Sequence, residues 1–182
     1  MAVSFPGGPA PAPTADDPLA LLSACHGRIA RQCATLGRLA AHLPAHGSDA
    51  AAQTAAASVL RYFETAAVHH HEDEEEDLFP ALIDSMAGSD AVCLHELVDG
   101  LVAEHRQLAR RWEPLRQALA DISQGRRAEL PAGEVQAFTE AYAAHIRREE
   151  EELLPMAARL IADDALAAIG QAMKSRRGGE AG

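Results

Sequence analysis

The sequence is poor in cysteine, in aromatic residues and in long apolar runs. Its 182 residues include three cysteines, Cys25, Cys33 and Cys93, and none forms a CxxC pair. This pattern argues against a disulfide framework and against a zinc ribbon. Aromatic residues make up 4% of the chain, and β-branched residues are also scarce, which disfavours sheet. No run reaches about 18 consecutive apolar residues, so we expect no bilayer-spanning helix.

Positive charge is also in the minority. Lysine and arginine number 16 against 27 aspartates and glutamates, which gives a formal net charge of −11. That balance argues against nucleic acid and anionic membranes as partners, and it is compatible with attracting cations. The N-terminal stretch has neither the basic start nor the apolar centre of a secretory signal. We therefore expect a cytoplasmic protein.

The residues that are abundant favour helices. Hydrophobic residues account for 48% of the chain, and alanine and leucine dominate them, which predicts a helical domain with a sizeable core. We predict a disordered arm over residues 1–16, rich in Pro, Ala and Gly, and a disordered tail over residues 174–182. Residues 17–173 between them are predicted to form one domain.

Four long helical patterns cover that domain. They lie at about 18–42, 49–86, 90–123 and 132–161. Short Gly- and Pro-containing stretches separate them, so we predict an all-α protein with an up-down-up-down four-helix bundle. Pro114 is predicted to kink the third helix. A short additional helix is expected to start near Asp163.

Each of these helices carries one histidine within its apolar stripe. The four are His26, His70, His105 and His145. Glu74 and Glu149 each follow a stripe histidine by four residues, on the same helix face. Burying a carboxylate without a partner costs several kcal/mol, and no lysine or arginine lies in these stripes. We therefore predict a bound cation held by these six side chains.

The other polar residues of the run HHHEDEEEDLFP, residues 69–80, fall away from the stripe. The pattern predicts that they face solvent or surround the site. This prediction covers His69, His71, Asp73 and Asp77, whereas Glu75 and Glu76 are predicted to be solvated.

A second stretch, HIRREEEELLP at residues 145–155, repeats the pattern HxxxExxxLφP, where φ is apolar. Superposing His70 on His145 also superposes Glu74 on Glu149. Two pseudo-symmetric halves would bring four imidazoles and two carboxylates together. That set suits two metals, each with two histidines, with both glutamates and an oxo or hydroxo group bridging them. Iron fits such ligands well, with manganese and zinc as alternatives.

These motifs, with Glu104–His105 and the paired LFP and LLP ends, resemble the hemerythrin-like HHE cation-binding family over about residues 18–161. The resemblance implies a four-helix bundle with a non-haem di-iron centre. It also implies ligand roles for the residues already selected by periodicity. These are His26, His70, Glu74, His105, His145 and Glu149.

Two departures argue against reversible oxygen carriage. The oxygen carriers have a further histidine four residues before or after that of the third helix, where this chain has Leu101 and Ala109. Their last carboxylate is an aspartate five residues after the fourth-helix histidine, whereas here Glu149 lies at four and Glu150 at five. The bacterial branch linked to iron–sulfur repair, nitric oxide and oxidative stress is closer in ligand set.

We therefore expect a protein that binds or senses O₂, NO or peroxide, or handles iron, without a nucleic-acid or membrane partner. One alternative is a di-iron oxidase, peroxidase or NO-reducing enzyme, or an iron donor of the iron–sulfur-repair type. Another is a non-redox zinc buffer or an interaction module. The sequence leaves open whether it is an enzyme, and binding is favoured over turnover. Tyr142 and Glu104 are candidates for hydrogen bonds that support the metal ligands from outside.

Overall fold

The computed structural model describes residues 16–86 and 91–178, and throughout these ranges every regular element is a helix. The prediction of an all-α protein is confirmed. Eight α-helices and two short π-helical segments follow one another along the described chain. They are α1 (Pro18–His46), α2 (Ala50–Glu64), α3 (Ala66–Glu72), π1 (Asp73–Leu78), α4 (Phe79–Asp84), α5 (Ala91–Ser123), α6 (Ala132–Arg148), π2 (Glu149–Leu153), α7 (Leu154–Leu160) and α8 (Asp163–Gly178).

The first two helices begin where the sequence supplies capping residues. The Asp17 carboxylate accepts a hydrogen bond from the backbone N–H of Ala20 at 3.0 Å, and Pro18 occupies the first turn of α1. Asp49 caps α2 in the same way at 2.8 Å from the N–H of Ala52. Each cap satisfies one backbone donor that the helix cannot pair internally.

Helices α1, α2, α5 and α6 pack as a closed ring, because α1 and α5 each contact both α2 and α6. The apolar core forms two clusters, one of which also includes residues of α4, α7 and α8. On α1, Leu22 belongs to one cluster and Ile29 to the other, with His26 between them. On α5, Leu101 and Leu108 lie on either side of His105 in the same way. The polar site therefore forms a layer between two apolar clusters.

The second and fourth predicted helices are interrupted by π1 and π2. The N–H of Phe79 bonds to the carbonyl of Glu74, and the N–H of Leu154 bonds to that of Glu149, both five residues back. Pro80 and Pro155 come next and have no N–H with which to restore the α-helical pattern. Single π turns often occur at functional sites, and here both coincide with the predicted glutamate ligands.

The C-terminal prediction needs correction. The helix expected near Asp163 is present, but α8 runs on to Gly178, so the prediction of a disordered tail is wrong for residues 174–178. Arg176 and Arg177 hold this end of α8 against π1, a long-range contact that local composition does not reveal.

The remaining predictions concern the chain termini, the break between the second and third helices, and Pro114. The predicted disorder of residues 1–15 and 179–182 and the predicted break near residues 88–90 lie outside the described residues. Helix α5 continues through Pro114. None of the described helices is both long and apolar enough to cross a bilayer.

Candidate metal centre

The six predicted ligand side chains converge in the polar layer between the two core clusters. All are buried, and the side chains of His70, Glu74 and Glu149 are 0% exposed. Their donor atoms form two sets in which all atoms lie within 4.8 Å of one another. The first set contains His26, His70, Glu74 and Glu149, and the second contains His105, His145, Glu74 and Glu149. Both glutamates belong to both sets, which is the arrangement that the sequence repeat predicted.

Each glutamate directs one oxygen to each set. Glu149 Oε2 lies 3.1 Å from His26 Nε2, while Glu149 Oε1 lies 3.1 Å from His145 Nε2. Glu74 Oε1 lies 3.5 Å from His70 Nε2, and its Oε2 lies 3.4 Å from His105 Nε2. A carboxylate placed in this way can bridge two cations.

The inward-facing atoms lack hydrogen-bond partners. Within the described chain, the Nε2 atoms of His26 and His70 and both carboxylate oxygens of Glu74 and Glu149 are buried and unpartnered. No described arginine or lysine forms an ion pair with either glutamate. Buried polar atoms are nearly always satisfied, and unpaired buried charges are costly. A divalent metal in each donor set would satisfy these atoms, so the residues present fit a two-metal cofactor.

Three of the histidines are held from behind by carboxylates. His26 Nδ1 lies 2.6 Å from Glu150, and His105 Nδ1 lies 2.6 Å from Glu75. His145 Nδ1 lies 2.8 Å from Glu104. An Nδ1–H that donates to a carboxylate leaves Nε2 free to face a metal.

Two of these carboxylates, Glu75 and Glu150, make contacts with histidines that the sequence analysis did not predict. The side chain of Glu75 is 40% exposed, in agreement with its predicted solvation, but its contact with His105 was not predicted. The sequence analysis gave Glu150 no role, although its position after Glu149 repeats that of Glu75 after Glu74. Glu104, which was considered as a supporting group, occupies such a position and also accepts a hydrogen bond from Arg148 at 2.7 Å.

Without metal, protons compensate the two buried carboxylates. Burial lowers the pKa of His26 and His105, but the nearby carboxylates of Glu149 and Glu74 outweigh burial and raise each pKa to about 10. Burial raises the pKa of Glu149, but three nearby imidazoles hold it well below its usual range. Metal binding must therefore displace protons from the imidazoles.

One further residue of this run lies elsewhere than predicted. Asp73 is 0% exposed and pairs with Arg176 and Arg177 from α8, whereas the stripe pattern placed it at the surface or around the site. His71 borders the site, as one of the two predicted alternatives, and stacks on His105 with ring centroids 3.9 Å apart. A regular helical period cannot anticipate the position of Asp73, because it depends on α8.

Tyr142 is buried among aromatic side chains. Its ring lies 6.4 Å from that of His145 and packs against Phe63 and Phe138. Burial raises the pKa of the phenol above its ordinary value, so the hydroxyl remains neutral. These rings line an apolar cavity of about 90 Å³ that reaches His71.

Comparison with known proteins agrees with this geometry. The profile of the Hemerythrin HHE cation binding domain matches residues 17–157. The chain belongs to the hemerythrin HHE cation-binding family. An uncharacterized protein of Haemophilus influenzae is 30% identical to this HHE-domain protein over 164 residues, which cover 90% of this chain and 92% of the relative. The resemblance stated from the motifs is thereby confirmed, and the HHE-domain protein is a metal-binding protein.

Proposed function

We propose that this HHE-domain protein is a hemerythrin-like, non-haem di-iron protein with an up-down-up-down bundle. It binds or senses O₂, NO or peroxide, or handles iron, in the cytoplasm. The observation that carries the proposal is the pair of donor sets that share Glu74 and Glu149, whose inward atoms have no partner among the described residues. Mixed imidazole and carboxylate donors suit iron. The resemblance adds the expectation of an oxo or hydroxo bridge.

Two irons at this position would supply electrons to a bound small molecule. The protein's own groups prepare the site for that chemistry. Glu75, Glu104 and Glu150 hold the Nδ1 protons of three histidines and thereby fix the direction of each Nε2. Glu74 and Glu149 place negative charge between the two donor sets, and each has one oxygen near each set. The surrounding apolar clusters exclude bulk water, which strengthens these electrostatic interactions.

The size of the aromatic cavity supports a small ligand. A cavity needs about 10–15 Å³ of such volume to hold one water molecule, so a cavity of about 90 Å³ accommodates a diatomic molecule or peroxide. Its walls include Phe63, Leu108, Trp112 and Phe138. Such walls favour an uncharged ligand over an ionic one.

Metal content and the visible spectrum of anaerobically purified, iron-supplied protein test the proposal. We expect about two irons per chain, as the mixed donor set implies, and charge-transfer bands that appear on exposure to air. Glu74→Ala and Glu149→Ala should each lose both irons, because each carboxylate serves both donor sets. Glu151→Ala, at an exposed position of π2, is the matched control and should retain both.

Other results would favour the alternatives. Zinc alone, with a spectrum that air does not change, would replace the di-iron proposal with a metal buffer. Many turnovers in the presence of a reductant would identify an enzyme instead of a stoichiometric binding protein. Full iron loading in both Glu74→Ala and Glu149→Ala would show that the metals bind elsewhere.

A further inference from the structure

Gly100 lies in the interior of α5, where the backbone does not require a glycine. Among the described glycines, positive φ values occur at Gly47 and Gly125, and glycine weakens the interior of a helix relative to alanine. A Cβ added to Gly100 would lie 2.8 Å from Nη1, 3.0 Å from Nη2 and 3.3 Å from Cζ of Arg148. The absence of a side chain at Gly100 therefore makes room for this guanidinium.

The guanidinium that lies over Gly100 is connected to the metal centre by one carboxylate. Arg148 Nη1 donates to Glu104 Oε1 at 2.7 Å, and Glu104 Oε2 lies 2.8 Å from Nδ1 of His145. Gly100 and Glu104 are four residues apart and share a face of α5, so a guanidinium over the first reaches the second one turn later. Each oxygen of Glu104 has a different partner, and rotation of the carboxylate would break these contacts.

The two groups behind His145 are partly open to solvent. The side chain of His145 is 1% exposed, whereas those of Glu104 and Arg148 are 33% and 31% exposed. All three line a cleft of about 420 Å³ beside α5 and α6. The cleft has room for the guanidinium if it is displaced from Gly100, and water would then compete for Glu104.

The first half of the chain has a different residue at each of these positions. Superposing the halves places Leu21, Cys25 and Asp73 at the positions of Gly100, Glu104 and Arg148. The glycine, the carboxylate and the arginine therefore occur together in one half, and none of them has a counterpart of its own type in the other. This joint occurrence is expected of residues that act as a unit.

We propose that Gly100 and Arg148 are positioning residues for His145. Gly100 admits the guanidinium, the guanidinium fixes Glu104, and Glu104 holds the Nδ1 proton of His145 so that Nε2 faces the second donor set. This inference rests on the proposed function, in which Nε2 of His145 binds a metal. The orientation of a buried ligand then depends on a residue that has no side chain.

Cobalt-substituted Gly100→Ala tests the inference. A histidine bound to paramagnetic Co²⁺ through Nε2 shows a strongly shifted proton NMR signal from its Nδ1–H, which exchanges with solvent more slowly when an acceptor holds it. In Gly100→Ala the signal of His145 should exchange faster, and the signals of the other ligand histidines should not change. The cobalt affinity of the second donor set should fall about tenfold, the lower limit for outer-shell changes, because Glu104 itself remains.

Further variants show whether Gly100 acts through Arg148. Arg148→Ala should change the His145 signal and the affinity in the same way, and Gly100→Ala/Arg148→Ala should have no larger effect than either change alone. Gly37→Ala is the matched control, because a Cβ added to this glycine of α1 would lie in open space, and it should bind cobalt as the native protein does. Since alanine favours helix over glycine, the urea midpoint of Gly100→Ala should not fall.

The outcomes separate this inference from the function on which it rests. Native protein that binds no cobalt at these histidines would overturn the proposed function itself. Native protein that binds two cobalt ions, with the His145 signal and the affinities unchanged in Gly100→Ala and Arg148→Ala, would overturn only the positioning role. Additive losses in the double variant, or a lower urea midpoint for Gly100→Ala, would show that Gly100 serves the packing of α5 instead and would likewise exclude the proposal.

Discussion

The two halves of the chain carry the same candidate metal donors, but the groups that contact these donors from outside differ. Glu75 of the first half holds His105 of the second, and Glu150 of the second half holds His26 of the first, each at 2.6 Å. In both halves the glutamate shared by the two donor sets lies at the start of a π turn or one residue after it, six residues before a proline. The centre therefore has an approximate twofold symmetry that follows the sequence repeat.

The twofold symmetry does not extend to the other two histidines, His70 and His145. His145 has Glu104 behind it, and Arg148 braces that carboxylate. The residue that corresponds to Glu104 in the first half is Cys25, and the Nδ1 of His70 has no hydrogen-bond partner in the part of the chain described. A carboxylate behind an imidazole makes it a better metal ligand. The two halves thus share the same donor types but differ in the groups behind them, and we expect the second half to hold a metal more tightly.

The largest expected effect concerns the ion pairs that Asp73, in the first half, forms with α8. Arg176→Ala/Arg177→Ala would leave the fully buried Asp73 without a cation, because both arginines of α8 pair with it. Stranding a buried carboxylate costs about 3–5 kcal/mol, so the free energy of unfolding in urea should fall by that amount. Lys174→Ala, which removes an exposed ion pair of the same helix with Asp16, should cost no more than about 1 kcal/mol. Equal effects of the two changes would show that α8 does not anchor the first half.

A smaller effect, on metal affinity, should distinguish Glu75 and Glu150, which occupy equivalent positions, from Glu104, whose counterpart is Cys25. Glu75→Gln and Glu150→Gln should each lower metal affinity by about 10–100-fold, and by similar factors, because they remove equivalent hydrogen-bonded charges. Glu104→Gln should weaken only the metal of the second half. Competition between the zinc-loaded protein and a zinc chelator measures the metal affinity of both sites. Unequal losses for Glu75 and Glu150 would break the proposed symmetry, and no loss for Glu104 would remove the expected difference in affinity.

The smallest effect is a difference in histidine titration between the halves of the metal-free protein. Burial lowers the pKa of both His70 and His145, but Glu149 and Glu104 outweigh burial at His145 and raise its pKa above 6.5. The folded state should therefore lose the stability contributed by His145 as pH rises through that raised pKa. At His70 the pKa is lowered, so the loss of stability occurs as pH falls below 6.5.

Histidine NMR titration of metal-free protein measures both values. His145 should titrate above 6.5 and His70 below it. In Glu104→Gln the pKa of His145 should move down towards that of His70, while His70 should not change. Identical titrations of the two histidines in the native protein would contradict the difference in support.

Helical periodicity was sufficient to predict most of the centre. One stripe per helix selected His26, His70, His105 and His145, and the four-residue step selected the two bridging glutamates that the structure brings to the same layer. The same period did not identify the contact of Glu75 with His105, since a π turn contains more residues than an α turn and rotates the residues after it. Asp73 was misplaced because its partners lie about 100 residues later in α8. The helical period of the local sequence indicates neither the rotation that a π turn introduces nor the contact between Asp73 and α8.

The crossed pairs Glu75–His105 and Glu150–His26 are equivalent in space but not along the chain. Glu75 and His105 are separated by 30 residues, whereas Glu150 and His26 are separated by 124. Loop closure costs about 0.6 kcal/mol for each doubling of length, so the longer connection costs about 1.2 kcal/mol more. During folding the Glu75–His105 contact should therefore form first, and the donor set of His26 should be completed only when the last helices dock.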